Sequence, residues 1–243
     1  MKFRKRYDDK IKKRKSGLFR NLLNLLLPEV CVVCGRELLE DEKGVCLSCL
    51  FKLPRTDNYK VIDNSAERLM AGRIPFERIA CYCVYVEGGI LPPLIHNLKY
   101  YNKKEIGFLL GRMFGDDLSG SDFIKPIDII VPVPLHPKKE KIRGYNQADV
   151  IAQGISESTS LPVSTGNLVR VVHNPTQTKR TRTERWENVK DIFYVKDKQL
   201  FEQKHILLVD DVITTGSTIE ACGIALHKCT NLKISIATIG EVL

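Results

Sequence analysis

Ile206-Leu-Leu-Val-Asp-Asp-Val-Ile-Thr-Thr-Gly-Ser-Thr218 is the stretch on which the fold turns. Its opening run, Ile206 to Val209, reads as a strand buried on both faces, the pattern of a parallel sheet. From Thr218 onward Ile219, Cys222, Leu226 and Cys229 recur at helical spacing, so an amphipathic helix follows. The polar residues between are therefore expected in a strand-to-helix turn, where open parallel sheets bind ligands beyond the carboxyl ends of their strands. Outward from this unit, Ile127–Val133, Leu168–Val172 and Lys233–Ile239 are further apolar runs. The expected architecture is α/β: a mostly parallel sheet of these strands and His205–Val209, flanked by helices.

The turn has its own chemistry. Thr214, Thr215, Gly216, Ser217 and Thr218 offer hydroxyls and approachable backbone N–H groups at a helix N-terminus, a favourable place for a phosphate dianion. It is not a P-loop, because the G-x-x-x-x-G-K-S/T spacing and its lysine are missing. Asp210 and Asp211 look misplaced beside a phosphate unless the ligand also carries vicinal hydroxyls, which carboxylates accept as hydrogen-bond donors. The ligand implied is a ribose 5-phosphate. A merely capped helix needs one Ser, Thr or Asp, not this run of polar and small residues.

The eight cysteines divide by spacing. Cys31-Val-Val-Cys34 and Cys46-Leu-Ser-Cys49 are two C-x-x-C pairs separated by eleven residues, which suits a tetrahedral four-thiolate zinc site. Four ligands leave no open position, so such a zinc is structural. Gly35 and Gly44 suit chain reversals with positive φ. Two disulfides or a redox C-x-x-C are the competing readings, and disulfides need an oxidising compartment that nothing else in the chain supports. Cys81 and Cys83 alternate in Ile79–Val86, a strand pattern, and Cys222 and Cys229 fall on the helix stripe; all four read as buried thiols.

With 243 residues, 43% hydrophobic and 28% charged, the chain can bury a full core, and disorder is excluded as its main state. Mean hydropathy of −0.15, with no apolar run near the roughly 18 residues a bilayer span needs, excludes an integral membrane protein. The net charge of +9 is concentrated: residues 1–20 hold ten Lys/Arg against two Asp, and the remainder is nearly neutral. Residues 1–15 read as a disordered basic arm. Ser16 then caps an amphipathic helix over Gly17–Leu27, stopped by Pro28. Basic residues before leucines also suggest a secretory signal, against which stand the polar interruptions and the missing small-residue cleavage site. A cytoplasmic location is the expectation. The arm's charge fits DNA, an acidic membrane surface, a protein partner such as a helicase, or simple solubility.

Past the second apolar strand the chain reads Ile129-Ile-Val-Pro-Val-Pro-Leu-His-Pro137 and then Arg143-Gly-Tyr-Asn-Gln-Ala148, with Thr176-Gln177, Arg185 and Asn188 farther on. Read alone, Pro132 and Pro134 force an extended exit that ends pairing. The segment carrying Lys138, Lys139, Lys141 and Arg143 is either a loop that meets an anion or a solvated one, and Tyr145–Ser158 continues as a helix. Residues 206–218 resemble the phosphoribosyl-pyrophosphate signature of type I phosphoribosyltransferases. With the four-cysteine segment, the whole set resembles the ComF family of competence proteins, over about Leu22 to the C-terminus.

That resemblance implies residues 16–60 as helix and zinc segment and 61–243 as a phosphoribosyltransferase-like domain, with an acceptor hood at about 79–120. It implies phosphoribosyl pyrophosphate with Mg²⁺ on Asp210, Asp211 and Thr214 to Thr218, and pyrophosphate near Lys138, Lys139 and Arg143. Lys179, Arg180, Arg182 and Arg185 would lie on a mobile loop, Thr176–Lys190, that closes over the substrate. Lys99, Tyr100 and Tyr101 are acceptor candidates, although an aromatic pair at a helix end is also ordinary packing. His96, His136, His173, His205 and His227 show no metal spacing, and no catalytic residue is assigned. The role implied is DNA uptake in natural transformation, with single-stranded DNA and a competence helicase as partners; the alternative is pentosyl transfer to a nucleobase or other small acceptor.

Overall fold

The computed structural model describes residues 28–170 and 192–243. The basic arm, the Gly17–Leu27 helix and the loop with Lys179, Arg180, Arg182 and Arg185 lie outside the described residues. Phe51 closes one compact unit and Lys52–Leu243 form the other.

The first unit holds the cysteine segment and one short helix, α1 (Leu47–Phe51). Gly35 and Gly44 both adopt positive φ, as their places in the two reversals require. The buried Glu42 accepts from the backbone N–H groups of Leu39 and Leu47 and pairs with both carboxylate oxygens to Arg36 Nη2, at 2.7 and 2.9 Å. One side chain thereby ties the two knuckles together.

The second unit begins with a single 3-10 turn (Asn58–Lys60) and α2 (Ser65–Met70), which opens with a capping box between Asn64 and Glu67. It continues through β1 (Ile79–Val84), α3 (Leu91–Tyr100), α4 (Lys104–Ser119), β2 (Ile129–Pro132), α5 (Pro137–Arg143), α6 (Gln147–Thr159), β3 (Leu168–Arg170), β4 (Phe193–Val195), β5 (His205–Ile213), α7 (Ser217–Leu226) and β6 (Lys233–Glu241). Four strands form a parallel sheet in the order β1-β6-β5-β2. Alternate residues Ile79, Val131, Ile206, Leu208 and Ile236 bury one face against α7 and α2. On the opposite face Tyr82 of β1 meets Phe114 of α4, ring centroids 5.2 Å apart. Close approach of α4 to α6 depends on glycine: a Cβ at Gly111 would stand 2.2 Å from the Ile151 carbonyl oxygen.

Two strand expectations need correction. The run at Leu168 leaves the parallel sheet and pairs antiparallel with β4, forming a separate two-stranded sheet. Asn167 explains this, since its side chain both donates to the Asp197 carbonyl and accepts from the Asp197 N–H, at 2.9 Å each. The place beside β2 is taken by residues 162–164, through Ile130 N–H to Pro162 O and Ser164 N–H to Ile130 O, both 2.9 Å. The second correction concerns β1, drawn from the residues expected as hood: it is an edge strand of the main sheet, held by Glu77 N–H to Ile234 O and Tyr85 N–H to Glu241 O. The rest of that segment supplies α3 and α4.

The segment after β2 is a helix, α5, not a loop. His136 caps it, its Nδ1 accepting from Lys138 N–H at 3.2 Å, Pro137 starts it and Gly144 ends it at φ 80°. Among the described residues no helix is long and apolar enough to cross a membrane.

Candidate phosphate and metal sites

β5 runs four residues past its apolar stretch, because β6 continues the ladder beside it, pairing Asp210 with Thr238 and Ile213 with Glu241. The acids therefore stand on the last part of a strand rather than in the turn, and only Thr214–Gly216 make the bend. Strand placement buries them: Asp210 is 9% exposed and Asp211 4%. Asp210 Oδ1 accepts from the Asp211 N–H at 2.8 Å, and Asp211 Oδ1 pairs with Lys99 Nζ at 2.8 Å. Asp211 Oδ2 is buried and has no hydrogen-bond partner among the described residues. Burial first, and the neighbouring Asp211 charge second, push the Asp210 carboxyl up to about 7.

The turn leads into α7 with Gly216 at the N-cap, φ 75°, and no side chain among the described residues caps the helix. First-turn N–H groups are thus left to meet an anion. Thr214, Thr215, Ser217 and Thr218 are exposed, with Thr215 Oγ1 and Ser217 Oγ 2.9 Å apart, around a concavity of about 40 Å³. Arg73 steadies the bend by donating to the Thr215 carbonyl, and lies 3.6 Å from Glu220 of the same helix. A Cβ at Gly216 would stand 2.4 Å from Met70 Sδ. Gly216→Ala, strained by left-handed φ at about 1–2 kcal/mol, is expected to lower the melting temperature by several degrees. Calorimetric melting of the variant at the parent's temperature would show that the turn can relax.

The two acids, Thr214 and Thr218 border a larger cavity of about 480 Å³, within the usual range for small-molecule sites. Lys99, Tyr100, His96, Gln147 and Arg170 line its other walls. Arg143 reaches this wall indirectly, donating to Gln147 Oε1 and placing its guanidinium 5.8 Å from the Tyr100 ring centroid. Lys138 and Lys139 are exposed on α5 and do not line the cavity. Arg170 and Arg73 went unread in the sequence because neither stands in a motif; a lone arginine ending a three-residue strand gives no signal.

In the first unit the sulfurs of Cys31, Cys34, Cys46 and Cys49 all lie within 4.8 Å of one another. Cys34 and Cys46 Sγ are 3.8 Å apart. That matches the edge of about 3.8 Å for a tetrahedron with metal–sulfur bonds of about 2.3 Å, and it is far beyond the roughly 2.05 Å of a disulfide. Burial, with the neighbouring sulfurs adding to it, pushes the Cys49 thiol up; against the burial of Cys46, hydrogen bonds from Cys49 and Arg36 pull that thiol down to about 6. Four such thiols cannot all ionise together without a cation, so the donor set fits a divalent soft metal.

Comparison with known proteins agrees with this geometry. A phosphoribosyl transferase domain matches residues 143–241, the segment from Arg143 to the end of β6. Competence protein F of Haemophilus influenzae is 30% identical over 202 residues, covering 82% of this chain and 78% of that protein. The DNA utilization protein YhgH of Escherichia coli is 28% identical over 80% of this chain and 89% of its own length. Competence protein ComFC of Bacillus subtilis is 26% identical over 90% and 81%. With the cysteine segment, the parallel sheet and the acid-and-hydroxyl turn all in place, the chain belongs to the ComF family.

Proposed function

We propose that the chain binds phosphoribosyl pyrophosphate at Asp210–Thr218 and acts in DNA uptake, with a structural zinc on Cys31, Cys34, Cys46 and Cys49. The observation that carries the ligand reading is the buried Asp211 Oδ2, unpartnered among the described residues, on the same cavity wall as a helix N-terminus that none of them caps. An acceptor oxygen without a donor is costly when buried, and a ribose hydroxyl supplies that donor. Lys99 and Arg170 are the cations on the cavity wall that a pyrophosphate would meet, with Arg143 behind Gln147 and Lys138 and Lys139 exposed on α5. Mg²⁺ bound with the ligand would neutralise pyrophosphate charge. The uptake role is supported by the names of competence protein F and ComFC.

Titration calorimetry with phosphoribosyl pyrophosphate and Mg²⁺ tests the ligand reading. The pH dependence carries a sign. A ligand whose hydroxyls donate to Asp210 prefers the ionised carboxylate, so binding releases a proton below pH about 7. Affinity for ribose 5-phosphate is expected to rise from pH 6 to pH 8 and then level. The ligand's own phosphate titrates near about pH 6, so Asp210→Asn is the comparator, and its rise should be smaller. Equal slopes in parent and variant would remove Asp210 from the site.

A second reading, transfer to an acceptor, is favoured by the cavity space beyond the turn, between Lys99, Tyr100 and Pro134. Positioning and charge stabilisation suffice for an oxocarbenium-like step, with no protein nucleophile. Acceptor-dependent release of pyrophosphate supports transfer, and binding without turnover supports a sensor or holder.

A further inference from the structure

The mouth of the cavity carries an aromatic and cationic surface that the phosphate turn does not explain. α3 ends at Tyr100, Tyr101 caps it, and Asn102 turns the backbone at φ 55°, so both rings are held outward, 68% and 64% exposed. His96 lies against both, with centroids at 4.9 and 5.5 Å. The Tyr145 hydroxyl donates to the Leu98 carbonyl, pinning the end of α5 beside these rings. Arg143 then sits over Tyr100, and Lys104 Nζ is 4.7 Å from the Tyr145 centroid. On α5 four cations, Lys138, Lys139, Lys141 and Arg143, face one acid, Glu140, and no residue of the helix is buried. The three lysines form no ion pair among the described residues.

We propose that single-stranded nucleic acid docks on this rim, its bases stacking on Tyr100 and Tyr101 and its phosphates meeting the lysines of α5. The proposal rests on the DNA-handling reading above and gives it a place on the chain. Rings held outward by a fixed backbone have little conformational freedom to lose on stacking, and unpaired cations beside them track a phosphate chain. A duplex keeps its base faces stacked and offers these rings nothing, so the unpaired strand is the matching ligand. A peptide partner would call for a wider apolar area than two tyrosines among lysines.

The test is fluorescence anisotropy of a labelled oligothymidylate with the full chain, at several salt concentrations. Tyr100→Ala with Tyr101→Ala is expected to weaken binding about tenfold to a hundredfold with the salt slope kept. Tyr→Phe at both positions should restore binding and Tyr→Leu should not, which separates stacking from apolar contact. Lys138→Gln, Lys139→Gln and Lys141→Gln together should reduce the salt slope by about 2, at roughly 0.7 per phosphate contact on single strands. Both rings and all three lysines are exposed, so folding is checked simply by thermal melting. If the intact chain binds no strand at low salt, the DNA-handling reading itself falls. If it binds, and the tyrosine variant binds equally while removal of residues 1–15 abolishes binding, the strand lies on the arm and the rim is overturned alone. Equal preference for duplex, or rescue by leucine, also overturns it and points to a different partner class.

Discussion

Stripping zinc from this protein with a chelator under reducing conditions is expected to unfold residues 28–51 while Lys52–Leu243 stay folded. The reason is the composition of that unit's interior. Its buried apolar side chains are Cys31, Val45, Cys46, Cys49 and Leu50, whereas Leu39, Leu47 and Phe51 are 63%, 55% and 82% exposed. Three of five core residues are metal-ligand candidates, so without metal little remains to offset the backbone entropy of ordering the loops. Structural zinc contributes an apparent ~10–16 kcal/mol in small zinc modules, far beyond what two aliphatic side chains supply. Elemental analysis should find about one zinc per chain. Hydrogen exchange after chelation should show protection lost across residues 28–51 and kept in β5 and β6. Cys46→Ser should have the same effect as the chelator, since three thiolates leave the tetrahedron open. Metal-free, reduced protein that keeps slow exchange in this segment would end the zinc assignment.

How far the sequence foretold the structure depends on whether a signal was local. The two C-x-x-C pairs are local, and their four sulfurs do cluster. Yet Glu42, which fastens the knuckles through Arg36, Leu39 and Leu47, was unreadable, because an acid among other acids at Glu40 and Asp41 has no distinguishing pattern. The β5-to-α7 unit was legible because periodicity switches from continuous apolar to helical within thirteen residues. Its acids were misplaced by one element, since whether a strand stops at Val209 or runs to Ile213 is decided by β6, a partner distant in sequence.

The same contrast explains Leu168. An apolar run specifies a strand but not its partner, and the partner was chosen by Asn167 and by residues 162–164 occupying the edge of β2. The α4 contact with α6 left a visible trace, glycines at 107, 111 and 115, whose spacing of four is a one-sided stripe of small residues. Lys99 is an acceptor candidate only through the family resemblance of its segment. Its ion pair with Asp211 joins residues 112 apart, and nothing short of the fold could have revealed that.

Replacing both acids, Asp210→Asn with Asp211→Asn, is expected to lower the affinity for phosphoribosyl pyrophosphate by one to two orders of magnitude, at roughly 1.5–3 kcal/mol for hydrogen bonds to charged groups. The same change should not cost the fold its stability. Asp210 has its carboxyl raised to about 7, against an ordinary value of 3.8, by burial and by Asp211. A raised acid binds its proton more tightly in the folded chain, so stability is full below the unfolded value and is lost as pH climbs toward 7. Asp210→Asn alone removes that loss, and the single variant should melt above the parent at pH 8, with the gap closing at pH 4. Asp211→Asn acts differently, because it leaves the Lys99 ammonium without its 2.8 Å partner, and part of the gain is cancelled in the double variant. Stability rising while ligand binding falls is the mark of a pair of acids kept for a ligand rather than for folding. Calorimetric titration and melting at pH 4 and pH 8 read both quantities from the same samples. If the double variant binds phosphoribosyl pyrophosphate as tightly as the parent, the ribose does not sit on these acids, and Arg170 and Lys99 become the residues to follow to its true position in the cavity.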